Sequence, residues 1–153
     1  MYRCDYNKSM KMEECINYLL TQAQAKVNLV FRENLSQHNI TPAQYAILYY
    51  LWDEDGLSPT HLAQLCGLDA STITGLLTRM EKKEFIQRQH CRDDRRGIHV
   101  YLTPQGLELR DKIDVIIEKS NGEAMAHLRE DQKESLKDYL RHICESIGTR
   151  PQE

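Results

Sequence analysis

Seven residues from Ser71 to Lys82 carry the first hint of chemistry. On helical spacing, Ser71, Thr74, Gly75, Thr78 and Lys82 gather on one face, with Thr72 and Arg79 on its flanks. All are small, hydroxyl-bearing or cationic, a surface suited to close approach of a polar partner. Short hydroxyls can meet phosphates or base edges, and Arg79 and Lys82 can pair with phosphates. Gly75 gives up about 1 kcal/mol of helix propensity relative to Ala, which close approach would justify. A tolerated surface glycine and a merely solvated Lys82 are the plainer readings.

The elements that must hold this face follow from the neighbouring residues. Ile73, Leu76, Leu77 and Met80 recur at i, i+3, i+4 and i+7, so the opposite side of the same helix is buried. Asp69 stands where an N-cap belongs, after the turn Cys66-Gly67-Leu68. Beyond the helix, Phe85–His90 and Ile98–Leu102 read as two strands, with Ile98, Val100 and Leu102 alternating against His99 and Tyr101. Between them, Cys91 to Gly97 carries three arginines, which are costly to bury unpaired but suit phosphates or a narrow minor groove. A polar-faced helix followed at once by an arginine-tipped hairpin is the layout of a winged helix-turn-helix.

The run LTRMEKKEFIQR, then DDRR, then VYLTPQG resembles the MarR family of bacterial winged-helix transcription factors, over most of the chain from about Cys15 to Ile147. The resemblance implies a homodimer that binds double-stranded DNA at a pseudo-palindromic operator, represses there, and is released by a small ligand or by oxidation. It assigns Arg96 to the minor groove, Arg92 and Arg95 to supporting phosphate contacts, and Asp94 to holding the arginines in place.

Read from its start, the chain is expected to form a single domain, mainly α with a small β-hairpin wing. A first helix is expected over Met12–Leu35, with Cys15, Ile16, Leu19, Leu20, Ala23, Val27, Val30, Phe31 and Leu35 as its apolar stripe. Thr41-Pro42-Ala43-Gln44 combines an N-cap, a proline at the first helical position and a capping-box glutamine, opening a helix to about Asp53. Ser58-Pro59 opens a short helix through Leu65. Thr103-Pro104 opens another, carried to about Leu128 and loosened at Asn121-Gly122. A last helix places Leu136, Tyr139, Leu140, Ile143 and Ile147 on one side, before a frayed tail from Gly148. Residues 41–104 would form the winged helix, and 1–38 and 105–153 the dimerisation helices, whose apolar stripes exceed what a small winged-helix core can cover.

Composition bounds the alternatives. The 153 residues carry a net charge of -3, yet residues 79–104 hold seven Lys/Arg against four Asp/Glu, a local balance of +3. An acidic protein can bind DNA through one basic face. No apolar run approaches the length needed to span a bilayer, and the N-terminus lacks the apolar region of a secretory signal, so a cytoplasmic protein without membrane contact is expected. Nothing matches a G-x-S-x-G or a phosphate-binding glycine loop, so no enzyme and no cofactor are expected. The six histidines include no H-x-x-x-H pair and no C-x-x-C is present, so no metal is expected either.

For the regulatory signal, two chemistries stand open. Tyr45, Tyr49 and Trp52 share a face of the second helix with Leu48, which suits an aromatic effector or plain core. Among five cysteines, Cys15 resembles the placement of a reactive cysteine in the peroxide-sensing branch of the family, although Glu13 and Glu14 disfavour its thiolate. Cys91 lies beside Arg88 and Arg92, a cationic setting that favours one. A winged helix serving as a protein-interaction module without DNA is the alternative from another class; three tip arginines argue for duplex.

Overall fold

The computed structural model describes residues 11–90 and 97–148. Cys91, Arg92, Asp94, Arg95 and Arg96 therefore lie outside the described residues, as does Cys4. The order is a 3-10 turn (Met12–Glu14), α1 (Ile16–Leu35), a second 3-10 turn (Ser36–His38), α2 (Pro42–Asp53), α3 (Pro59–Cys66), α4 (Ala70–Lys82), β1 (Ile86–His90), β2 (Ile98–Leu102), α5 (Pro104–Ala124) and α6 (Glu130–Gly148).

Local chemistry explains most of these boundaries. Thr41 and Gln44 form a reciprocal capping box at α2, with the Gln44 N–H donating to Thr41 Oγ1 (3.3 Å) and the Thr41 N–H to Gln44 Oε1 (3.2 Å). Ser58 caps α3 through the His61 N–H, and Pro59 follows at the first turn. Gly67, in the left-handed region at φ 63°, ends α3, and the Leu68 N–H closes onto the Ala63 carbonyl at 2.8 Å. The same closure ends α4 without a glycine. Glu84 sits at φ 59°, its N–H bonds the Glu81 carbonyl, and the Phe85 N–H reaches back to Met80.

That turn corrects the expected strand start, since Phe85 belongs to the closure and to the core and β1 begins at Ile86. Two other expected limits move. Cys15 is extended (φ -77°, ψ 113°), separating Met12–Glu14 from an α1 that begins only at Ile16. The helix expected to reach Leu128 ends at Ala124, where the chain tightens into i→i+3 bonds such as Leu128 N–H to the Met125 carbonyl. It runs unbroken through Asn121-Gly122.

The chain divides into two compact units, one ending at Ser120 and the other beginning at Asn121. In the first, Ile47, Leu48 and Leu51 of α2, Leu62 of α3, Ile73, Leu77 and Met80 of α4, and Ile86 and Val100 of the hairpin form one core, joined by Leu109 and Ile113 of α5. Each fully buried side chain of this kind contributes about 1.5–3 kcal/mol over its exposed state. The hairpin is antiparallel, with Ile86 opposite Leu102, Arg88 opposite Val100 and His90 opposite Ile98. Val100 is also bridged to Leu57 on its other side, through a Val100 N–H to Leu57 carbonyl bond of 2.9 Å. Burial fades along β2 towards the turn, from Val100 at 0% exposure to Ile98 at 39%.

The α1 stripe is fully covered only at Leu35, its C-terminal end. Leu35 is buried, Leu20, Val30 and Phe31 are half-buried, and Ile16, Leu19, Ala23 and Val27 are exposed. In the second unit, α6 pairs Lys133 with Glu130, Lys137 with Glu134 and Arg141 with Asp138 along its length, and exposes Leu136, Tyr139 and Leu140. Among the described residues no helix is long and apolar enough to cross a membrane.

Candidate nucleic-acid interface

Helix α4 is two-faced, as its spacing requires. Ile73, Leu76, Leu77 and Met80 are buried; Ser71, Thr72, Thr74, Arg79 and Lys82 are exposed, and Gly75 and Thr78 are half-buried. The structure thus brings all seven candidates of α4 onto its outward side.

Their hydroxyls are not idle in the unbound chain. Asp69 accepts the Thr72 N–H at 2.8 Å, the Ser71 hydroxyl at 2.7 Å and the Thr72 hydroxyl at 2.7 Å. These bonds, the Thr72 N–H foremost, hold the Asp69 carboxyl well below the usual carboxylate range. The Thr74 hydroxyl donates to the Ala70 carbonyl (2.7 Å) and that of Thr78 to the Thr74 carbonyl (3.0 Å). A partner must therefore use the acceptor lone pairs of these oxygens or rotate them. Gly75 has no packing reason to lack a side chain: a Cβ there would meet only the Arg79 guanidinium, at 3.6 Å.

Two cations of the basic segment turn inward. Lys83, just past α4, donates from Nζ to the Asn39 carbonyl (2.6 Å) and to Oε1 of the buried Gln44 (3.1 Å); burial and then Arg79 hold its ammonium below its ordinary value. Arg88 of β1 grips Glu81 of α4. Its backbone N–H donates to Glu81 Oε1 (3.1 Å), and Nε (3.1 Å) and Nη2 (2.6 Å) both donate to Oε2. Those bonds keep the Glu81 carboxyl below its ordinary value. Arg88 was expected among the cations around Cys91; its charge is instead neutralised by Glu81. The pairing of Glu81 with Arg88 was not read from the sequence, although a glutamate near a helix end and an arginine seven residues on, across a helix-to-strand turn, is the signal that would have marked it.

The aromatic face of α2 is real but unevenly placed. Tyr45 lies 6.2 Å from Tyr49 and 6.4 Å from Trp52, ring centre to ring centre. Trp52 is core, and its indole N–H donates to the Gly106 carbonyl at 3.0 Å. Tyr45 is half-buried, its phenol raised by burial and then by Asp114 and Tyr49, while Tyr49 is 53% exposed. A cleft of about 120 Å³ between α2 and α5 is lined by Tyr49, Trp52, Asp53, Arg110 and Asp114; Tyr45 is not among them. Arg110 and Asp114, one turn apart on α5, were not singled out from the sequence. Arg110 Nη1 donates to the Trp52 carbonyl at 3.2 Å. Of the cysteines described, Cys15 is half-buried at the start of α1, Cys66 is half-buried with its thiol pushed up by burial, and Cys144 is exposed.

Comparison with known proteins places this geometry. The chain is 32% identical over 120 residues to the HTH-type transcriptional regulator TtmR of Methylorubrum extorquens, a match covering 78% of this chain and 60% of that relative's length. It is 29% identical over 126 residues to the organic hydroperoxide resistance transcriptional regulator of Bacillus subtilis, covering 78% of this chain and 86% of the relative. A crystal structure of a probable transcriptional regulator from Pseudomonas aeruginosa superposes with a TM-score of 0.83 at 28% identity, covering 87% of this chain and 99% of that one. The pattern of the MarR family matches residues 40–98, the stretch that holds α2, α3, α4 and β1, and over that stretch the chain is similar to the winged-helix transcriptional regulators of that family.

Proposed function

We propose that this chain is a homodimeric repressor that binds a palindromic operator and leaves it when a small aromatic ligand binds. The observation that carries the reading is the outward face of α4: seven small, hydroxyl-bearing or cationic residues over a wholly apolar inner face, in a helix-turn-helix. Ser71, Thr72, Thr74, Gly75, Thr78, Arg79 and Lys82 would meet the major groove. Arg92, Arg95 and Arg96, with Asp94 as their organiser, would meet the backbone and minor groove beside it.

The exposed apolar residues of α1 (Ile16, Leu19, Val27) and of α6 (Leu136, Tyr139, Leu140) are what a second copy would cover. A two-fold dimer sets its recognition helices about 34–36 Å apart, one turn of B-DNA, and so reads a palindrome. The effector would sit in the α2–α5 cleft against Tyr49 and Trp52. Its volume of about 120 Å³ leaves room for no more than a single ring, with Arg110 and Asp114 at hand for a polar substituent.

Selection from randomised duplexes at two salt concentrations, with Arg96→Ala alongside, tests the reading. A palindrome should be enriched, and affinity should fall in the variant and at high salt. If no duplex is enriched and both proteins behave alike, the winged helix serves a protein partner instead.

A second reading of the signal is thiol oxidation. It is favoured by the half-buried Cys15 at the start of α1 and by the likeness to the hydroperoxide resistance regulator. Organic hydroperoxide should then release the duplex from the wild-type chain but not from Cys15→Ser, or not from Cys91→Ser if that thiol is the sensor. Aromatic ligands should have no effect.

A further inference from the structure

Glu81 stands on a helix that would lie against phosphates, where a carboxylate costs affinity by like-charge repulsion and also diverts the cation of Arg88 from the DNA. Its contacts give it another use. One carboxylate takes three donors from one residue of the hairpin, two from the guanidinium and one from the backbone, so it holds the strand itself as well as a flexible side chain. Arg88 Nη2 also comes within 3.5 Å of Thr78 Oγ1, one turn earlier on α4. Across the hairpin, Val100 pairs with Arg88, is fully buried and is bridged to Leu57.

The root of the hairpin is thus clamped from both sides. Among the described residues no other ion pair joins α4 to it. From Arg88 the strand runs on to His90, a rise of about 7 Å, before residues 91–96, which carry three arginines in the sequence. Any pivot at Arg88 is magnified along that arm.

We propose that Glu81 and Arg88 are a positioning pair that fixes the angle of the β1–β2 hairpin against α4, so that the recognition helix and the arginines between the two strands engage one duplex together. The proposal rests on the duplex-binding reading above. It has a sign that simple electrostatics does not share: removing the Glu81 charge should tighten binding if charge alone matters, and weaken it if geometry does.

The test is fluorescence anisotropy of the full chain on a selected duplex, comparing wild type, Glu81→Gln, Arg96→Ala and the double variant. Glu81→Gln is expected to weaken binding about five-fold, and to change it less than about two-fold where Arg96 is already gone. Arg88→Lys, which keeps the charge and loses the fork, should act in the same direction. Unchanged or tighter binding by Glu81→Gln overturns the proposal, as does an equal loss with and without Arg96. Amide hydrogen exchange of the unbound chains separates this failure from that of the DNA reading. If no chain binds duplex, faster exchange of the hairpin amides in Glu81→Gln still upholds the clamp, whereas unchanged exchange overturns it.

Discussion

Gly106, in the first turn of α5, should not tolerate even one added carbon. A Cβ there would lie 2.0 Å from the Phe85 carbonyl oxygen and 3.3 Å from Leu102 Cδ2. Carbon and oxygen settle at about 3.3 Å, so α5 would have to retreat by more than about 1 Å. The Phe85 carbonyl cannot turn aside, because it accepts the Thr103 N–H at 3.1 Å. Retreat also strains two bonds made by Gly106 itself: its carbonyl to the buried Trp52 indole (3.0 Å) and its N–H to Thr103 Oγ1 (3.0 Å). Alanine gains at most about 1 kcal/mol in helix propensity. Overpacking costs about 1–3 kcal/mol and a buried indole N–H left unpaired a similar amount. The net loss for Gly106→Ala should be about 3 kcal/mol, a midpoint lower by about 6–12 °C for a chain of this size. Thermal and urea denaturation read this directly. A variant as stable as wild type would refute the argument that α5 docks on the Phe85 carbonyl through a bare Cα.

Gly75→Ala should do the reverse, raising stability by about 1 kcal/mol in urea denaturation because its Cβ meets only the Arg79 guanidinium, while weakening duplex binding in anisotropy if close approach is its purpose. Unchanged affinity would make Gly75 a tolerated surface glycine. Glu84→Gly should raise the urea midpoint by about 1 kcal/mol of stability, since a non-glycine residue holds the left-handed turn after α4. Asp69→Ala should lower the thermal midpoint at neutral pH. Because the folded Asp69 carboxyl is held below its ordinary value, its contribution is complete above the unfolded pKa of about 3.9 and is lost as pH falls towards the folded value. The gap between wild type and variant should therefore close only in acid, as midpoints measured from pH 7 down to pH 2 will show.

The sequence made the local features legible and left the long-range ones dark. The caps at Thr41, Ser58 and Asp69, the Gly67 turn and the inner face of α4 need only a few neighbouring residues, and all are found. The start of α1 failed because an apolar stripe continues through Cys15 whatever its backbone does. The function of the glycine in LTPQG could not be read from its spacing, since it depends on a carbonyl twenty-one residues earlier. Trp52 reads as ligand-facing or core from α2 alone; only α5, arriving with the Gly106 carbonyl, buries it. The hydroxyls of α4 were legible in position but not in bonding. A list of polar residues does not say which are already satisfied.

The same distinction changes what the charge of the basic segment means for DNA. Seven Lys/Arg between residues 79 and 104 would suggest seven phosphate contacts from each copy of the chain. Two are already committed: Lys83 to Asn39 and Gln44, and Arg88 to Glu81. Arg79 and Lys82 are exposed on α4, and with Arg92, Arg95 and Arg96 they make at most five. Each phosphate neutralised contributes about -0.9 to the slope of log K against log salt, so the proposed dimer, using all five per copy, should give about -9, against about -13 for all seven. Binding measured from 50 to 300 mM salt separates the two. A slope near -13 would mean that Arg88 and Lys83 abandon their partners on DNA, and the hairpin would then be set by the duplex and not by Glu81. A slope of -9 or shallower leaves both inward cations where the unbound chain holds them, shaping the surface without touching the phosphates.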